Sequence, residues 1–136
     1  MKITRFSSVL VTGGAGFIGS HIVDRLVAQG LDVGVLDNMS TGSRSNLTLS
    51  SNLRVHSGDV SDPAFVKRIV GDYEVVIHAA ALVGTGSSTG KSLELYSSNV
   101  TGTVNLLEAA VDSNVQRFIY ASSAACLLYT SPSPRD

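Results

Sequence analysis

Short runs of β-branched and aliphatic residues recur along the chain, and between them apolar positions fall at helical spacing. Ser8–Thr12 (SVLVT) predicts a strand that ends at Gly13. From Phe17 to Gln29, Ile18, Ile22 and Leu26 recur at every fourth position, with Val23 and Val27 beside them, which predicts a helix. Gly30 stops it where a chain leaves a helix through left-handed backbone. Val33–Leu36 predicts a second strand, ending at Asp37-Asn38. Met39 to Asn52 is rich in Ser, Thr, Gly and Asn and reads as a loop with a short turn of helix. Leu53–His56 is a third strand, closed by Ser57-Gly58-Asp59. Ser61-Asp62-Pro63 opens a helix that runs to about Val70 and ends at Gly71-Asp72. Glu74–His78 (EVVIH) is a fourth strand, followed by the small, flexible-reading stretch Ala79–Gly90. A long helix is expected from about Ser92 to Ser113, with Val104, Leu107 and Val111 on one face, and Gln116–Ala121 is a fifth strand.

Strands that alternate with helices need crossover connections, so the expected fold class is α/β, a doubly wound parallel sheet covered on both faces. The strands are continuous apolar runs, as doubly buried strands should be. No internal repeat or linker interrupts residues 1–121. The length of 136 residues suits one domain, and 43% hydrophobic residues supply a core. Only 15% of residues are charged, against about 25% in typical domains. A net charge of −1 argues against nucleic acid or an anionic membrane as a partner. The single cysteine, Cys126, excludes an internal disulfide framework and a Cys-rich zinc site. No apolar run approaches the roughly 20 residues of a membrane span, and Met1–Ser8 does not resemble a secretory signal. The expected location is the cytoplasm.

The strongest chemical signal is Thr12-Gly13-Gly14-Ala15-Gly16-Phe17-Ile18-Gly19, between the first strand and the first helix. A tight strand-to-helix turn needs residues without bulk. Missing side chains let backbone N–H groups approach a pyrophosphate, and the helix N-terminus adds partial positive charge. Two spacings fit: Gly14, Gly16 and Gly19 as G-x-G-x-x-G, or Gly13, Gly16 and Gly19 as G-x-x-G-x-x-G. Asp37 ends the second strand 18 residues past Gly19. A carboxylate there can accept from both hydroxyls of an adenosine ribose and would repel a 2′-phosphate, favouring NAD over NADP. An aspartate that merely opens the next turn is the plainer reading. Arg44 could restore some NADP binding but reads as a solvated loop charge. Asp59 either falls at the adenine or serves as a turn or cap residue for the next helix. His78 reads as a packed strand residue, and Ala79–Ala81 would let a flat cofactor lie against the backbone.

These segments, in this order, resemble the extended short-chain dehydrogenase/reductase family, and within it the NAD-dependent sugar-nucleotide epimerases and dehydratases. The resemblance rests on TGGAGFIGS (Thr12–Ser20), LDNMSTG (Leu36–Gly42), GDV (Gly58–Val60), HAAA (His78–Ala81), NVTGTVNLLEAA (Asn99–Ala110) and FIYASSAA (Phe118–Ala125), and so covers residues 8–125. It implies a Rossmann fold that binds NAD. Gly13, Gly16, Phe17, Ile18 and Gly19 would hold the pyrophosphate. Asp37, Asn38, Ser40, Thr41 and Gly42 would hold the adenosine side, with Asp59 and Val60. Ala79, Ala80 and Ala81 would lie against the central ribose and pyrophosphate, and Asn99 would face the cofactor region. Ser123 matches the family's catalytic serine, and Ser122 beside it is a weaker candidate placed at the cofactor.

The implied reaction is internal redox at the sugar C4. A tyrosine phenolate removes the hydroxyl proton while hydride leaves for NAD. The 4-keto sugar turns over, and hydride returns to its other face. Dehydratases share the first step and then eliminate water. A lysine four residues after the tyrosine lowers its pKa. The implied partners are a nucleotide sugar and a second copy, through the long helix paired with the Tyr/Lys helix.

The sequence departs from this pattern at its end. Four residues after Tyr73, Tyr96, Tyr120 and Tyr129 stand Ile77, Val100, Ala124 and Ser133, so no Tyr-x-x-x-Lys pair is present. The stretch Cys126–Asp136 has no helical or strand period and carries two of the three prolines. The expectation is therefore an incomplete NAD-binding domain over residues 1–125 and a non-native tail over 126–136, with Cys126 and Tyr129 carrying no function.

Overall fold

The computed structural model describes residues 5–83 and 90–123. The expected boundary at residues 125/126, with Cys126 and Tyr129, lies outside them, as does most of the stretch between Ala79 and Gly90.

Five strands form one parallel sheet: β1 (Ser8–Thr12), β2 (Asp32–Asp37), β3 (Leu53–Ser57), β4 (Val75–His78) and β5 (Arg117–Tyr120). Their order is β3-β2-β1-β4-β5, the expected doubly wound arrangement. Strand direction of travel reverses after β3, so β1 and β4 become neighbours at the topological switch point, where ligands of open α/β sheets bind. In register, Val9 lies beside Val33 and Leu10 beside Val76.

Alternation along the strands feeds two cores. Val9, Val11, Val33 and Val35 point to one face and pack with Val23, Leu26 and Val27 of α1 (Phe17–Ala28). Leu10, Leu36 and Val76 point to the other. There they meet Val66, Ile69 and Val70 of α2 (Pro63–Val70) and Leu106 and Ala109 of α4 (Gly102–Val111). Full burial of each such Val or Leu contributes roughly 1.5–3 kcal/mol.

The predicted ends of the first two helices match their physics. After α1, Gly30 has φ +80°. Its N–H bonds the Val27 carbonyl, and the Leu31 N–H bonds Leu26, a Schellman closure. At α2, the Asp62 carboxylate accepts from the N–H groups of Ala64 and Phe65, both at 3.1 Å, and Pro63 occupies the first helical position. The Ser- and Asn-rich loop contains one 3₁₀ turn, Arg44–Asn46.

The long helix departs from expectation in that it is not continuous: α3 (Ser92–Tyr96) passes through a π-helical turn, Ser97–Thr101, into α4. Its buried face is not the one that carries the valines. Val104, Leu107 and Val111 are 46%, 43% and 83% exposed, whereas Gly102, Leu106 and Ala109 face inward. The reason is close approach. A Cβ on Gly102 would overlap the Val60 side chain, so the small-residue face is the one that can reach the loop after β3. Among the described residues no helix is long and apolar enough to cross a membrane.

Candidate cofactor cleft

The ladder of backbone bonds runs one residue past the strand ends. Gly58 N–H bonds the Asp37 carbonyl, Gly13 the Leu36 carbonyl, Ala79 the Thr12 carbonyl and Ala121 the His78 carbonyl. The first residues beyond β3, β1, β4 and β5 therefore stand in a row at the C-terminal edge of the sheet. They line a cleft of about 470 Å³.

The structure separates the two glycine spacings. Gly13, Gly16 and Gly19 line the cleft, while Gly14 turns its Cα toward Val35, whose side chain a Cβ would meet at 2.8 Å. Gly13 has φ +68°, and a Cβ there would sit 2.7 Å from the Ala80 Cα. A Cβ on Gly19 would overlap the Gly13 carbonyl. The Thr-G-x-x-G-x-x-G reading is thus the one that builds the turn.

Gly16 caps α1 without a side chain, and the first turn holds no acidic residue. The Ser20 N–H makes the first intrahelical bond, to Gly16. The N–H groups of Phe17, Ile18 and Gly19 then have no intrahelical partner, and these three residues line the cleft. An uncapped helix N-terminus facing a cleft is suited to a phosphate group. The donors present fit the dinucleotide that the sequence implies.

Asp37 lines the cleft and is 8% exposed. One carboxylate oxygen accepts from the Ala15 N–H at 3.0 Å, the other from the Met39 N–H at 2.8 Å. The plainer turn-opening role is therefore real and coexists with a cleft position, since each oxygen keeps a further lone pair. Met39 has φ +59°, the one non-glycine residue in that region among those described. Asn38 lines the cleft, donates to Asp59 at 2.8 Å and accepts from Ser40 N–H at 3.0 Å.

Asp59 also accepts from the Ser61 N–H at 2.8 Å. Burial pushes its carboxyl up, but the hydrogen bonds from Ser61 and Asn38 outweigh that and hold it below the usual value. Of its two expected roles it takes the turn: its carboxylate accepts from the Ser61 N–H and its carbonyl from the Asp62 N–H, it lies behind Asn38, and Asp62 does the capping.

Thr41, Val60 and Ala79–Ala81 line the cleft as expected, and so does Ser122. Ser40, Gly42, Asp59, Asn99 and Ser123 do not. Gly42 serves from behind: a Cβ there would meet the Ala15 backbone at 2.8 Å, and Ser43 N–H and the Asn46 amide both donate to the Ala15 carbonyl. Asn99 clamps the Leu82 backbone, accepting from its N–H and donating to its carbonyl, both at 2.8 Å. Ser123 follows the lining residue Ser122 and is exposed.

Sequence reasoning missed Leu36, Gly58, Val83, Ser98 and Ala121 as wall residues. Leu36, Gly58 and Ala121 were accessible in principle, since each sits at or just past a strand end. Ser98 carried no signal, because the π turn decides its direction.

His78 is 1% exposed and fully bonded. Its Nδ1 lies 2.7 Å from Thr12 Oγ1 and its Nε2 2.8 Å from Thr103 Oγ1. Burial holds its imidazole down to about 4. Between pH 6.5 and 4 the unfolded chain takes up a proton that folded His78 refuses, so stability is fully present above 6.5 and declines as pH falls. From pH 7 to 4.5 this contribution is roughly 2 kcal/mol. In urea titrations, His78→Asn should lose that much less stability over this interval than wild type. Equal losses in the two proteins would count against it.

Known proteins share this architecture. A model of the NAD dependent epimerase/dehydratase family matches residues 9–134. UDP-glucose 4-epimerase of Erwinia amylovora is 41% identical over 134 residues, which cover 93% of this chain and 40% of that protein. The enzyme of the same name from Lactobacillus helveticus is 43% identical over 119 residues, covering 86% and 36%. The crystal structure of Thermus thermophilus UDP-glucose 4-epimerase in complex with NAD superposes with a TM-score of 0.76 at 40% identity, covering 85% of this chain and 37% of that one. The chain thus spans well under half the length of these relatives. With the family match extending over most of its residues, the chain belongs to the NAD dependent epimerase/dehydratase family.

Proposed function

We propose that this chain binds NAD in the cleft and is the cofactor-holding part of a UDP-glucose 4-epimerase-like enzyme. The observation that carries this reading is the uncapped N-terminus of α1 facing the cleft, with the Asp37 carboxylate in the same cleft and bonded to the glycine turn. Bound there, NAD would supply a reversible hydride acceptor for a sugar C4 carbinol. The N–H groups of Phe17, Ile18 and Gly19 would take the pyrophosphate, and the Asp37 carboxylate the adenosine ribose. Ala79–Ala81 would keep side chains out of the cofactor's path, and Val60 would close the adenine end.

The chain by itself is proposed to bind without turnover. Proton abstraction from the sugar hydroxyl needs a base of tuned pKa, and no tyrosine here has lysine four residues on. Ser122 and Ser123 would supply hydroxyl groups beside the reacting oxygen but cannot replace that base. A dehydratase or reductase of the same family shares every cofactor residue named, and the nucleotide sugar is the substrate class in each case. The apolar stripe of Tyr96, Val100, Val104, Leu107 and Val111 is exposed, which supports a homodimer through this helix.

Thermal melting tests cofactor binding. At NAD a hundredfold above its Kd, ligation adds about 2.7 kcal/mol. For a chain of this size that should raise Tm by roughly 10 °C. No shift at millimolar NAD would refute the reading. Incubation with NAD and UDP-glucose should yield no UDP-galactose, and turnover would refute the proposed inactivity.

A further inference from the structure

His78 is the one fully buried imidazole at the cleft edge, and its hydrogen bonds can be ordered without ambiguity. Thr103 Oγ1 donates its only proton to the Asn99 carbonyl at 2.7 Å. It must therefore accept from His78, which fixes the proton on Nε2. Nδ1 is then an acceptor, so Thr12 Oγ1 donates to it. Thr12 in turn accepts from the Ala80 N–H at 3.2 Å. The result is one directed chain from Ala80 N–H through Thr12, His78 and Thr103 to the Asn99 carbonyl.

Its two ends are informative. Ala80 lines the cleft and faces Gly13 so closely that no Cβ fits between them. Asn99 lies in the π turn, next to Ser98, which also lines the cleft. One imidazole thus ties together two walls that are distant in sequence. A π turn needs such an anchor, because its carbonyls are out of step with the ordinary helical ladder. The adenosine end of the cleft, by contrast, is built by Asp37, Asn38, Gly58 and Val60, none of which bonds to this chain.

We propose that His78, with Thr103, is a positioning residue that sets the cleft walls around the cofactor beyond its adenosine half, an inference that rests on the NAD reading above. Neither His78 nor Thr103 lines the cleft, so both act through Ala80 and the π turn.

The test is calorimetric titration of the full chain and of Thr103→Val and Thr103→Ser with NAD and with AMP. Thr103→Val deletes the acceptor for Nε2–H, and Thr103→Ser keeps it. NAD should bind Thr103→Val about tenfold more weakly, the scale of one lost buried hydrogen bond, with Thr103→Ser close to wild type. AMP should bind all three alike. Wild-type NAD affinity in Thr103→Val, equal weakening of NAD and AMP, or no rescue by serine would each overturn the proposal. A second measurement needs no variant. Nitrogen NMR of wild-type His78 at pH 7 should show a neutral ring protonated at Nε2, and the Nδ1–H tautomer would overturn the directed chain. Wild-type protein that binds neither NAD nor AMP would overturn the cofactor reading, and the positioning role with it, even with the NMR signature intact.

Discussion

Alanine at Gly13 or at Gly19 is expected to abolish NAD binding and to cost the fold roughly 2–5 kcal/mol at Gly13 and roughly 1–3 kcal/mol at Gly19. The two sites fail for different reasons. At Gly13 the backbone is left-handed, and a Cβ would press to 2.7 Å from the Ala80 Cα and 2.8 Å from its nitrogen. Both obstacles are backbone, so neither can rotate away. At Gly19 the backbone is ordinary helix, but the added carbon would overlap the Gly13 carbonyl and drive α1 off β1. Against a total stability of about 5–15 kcal/mol, either change removes a large share. Gly16 supplies the control. Its φ is −78°, and the nearest atom to an added Cβ is the Gly13 oxygen at 3.3 Å. Gly16→Ala should therefore stay within about 1 kcal/mol of wild type. Any loss of NAD affinity there reports the cleft wall and not the fold. Urea denaturation gives the stabilities and calorimetric titration the affinities. A Gly13→Ala protein with wild-type stability and NAD affinity would show that the turn does not depend on this contact.

The same residues show what a sequence can carry. The three inner strands were legible because a parallel strand buried on both faces must be a continuous apolar run, and VLV, VGVL and VVI are such runs. The glycine turn was legible because its position between strand and helix gives the spacing meaning. Choosing between its two spacings was not, because what distinguishes Gly13 from Gly14 exists only in the fold: Gly13 has φ +68° and faces Ala80, and Gly14 faces Val35. Which face of α4 is buried was not legible for a related reason. Counting apolar side chains selects Val104, Leu107 and Val111, but packing selects the face whose Gly102 and Ala109 permit close approach. The π turn left no trace in the pattern, since Tyr96, Val100 and Val104 continue the helical spacing straight through it. Asn99 was expected to face the cofactor region; in the structure it holds Leu82, between the lining residues Ala81 and Val83, a contact between the π turn and the segment after β4 that no local pattern encodes.

Asp37→Ala should destabilise the chain by roughly 2–4 kcal/mol, because it strands two N–H groups that the carboxylate now satisfies. These are Ala15, inside the glycine turn, and Met39, held at positive φ. Loss of NAD binding in that variant would therefore mix collapse of the turn with loss of the ribose contact. In Asp37→Asn the ratio of NADP to NAD affinity separates them, because damage to the turn weakens both dinucleotides alike. The amide keeps one acceptor oxygen for the turn, turns its NH2 to the other N–H and carries no charge. Asn at this position should weaken NAD by about tenfold while improving the affinity for NADP relative to NAD by a similar factor, because the repulsion of a 2′-phosphate is gone. A cation is already nearby: the Arg44 guanidinium lies 3.4 Å from Ser57 Oγ, and Ser57 pairs with Asp37 in the sheet register. Removing it in Asp37→Asn/Arg44→Ala should reverse the gain in NADP affinity. Titrating each variant with both dinucleotides decides the matter. An unchanged NADP-to-NAD ratio in Asp37→Asn would mean that the carboxylate holds the turn and does not choose the cofactor.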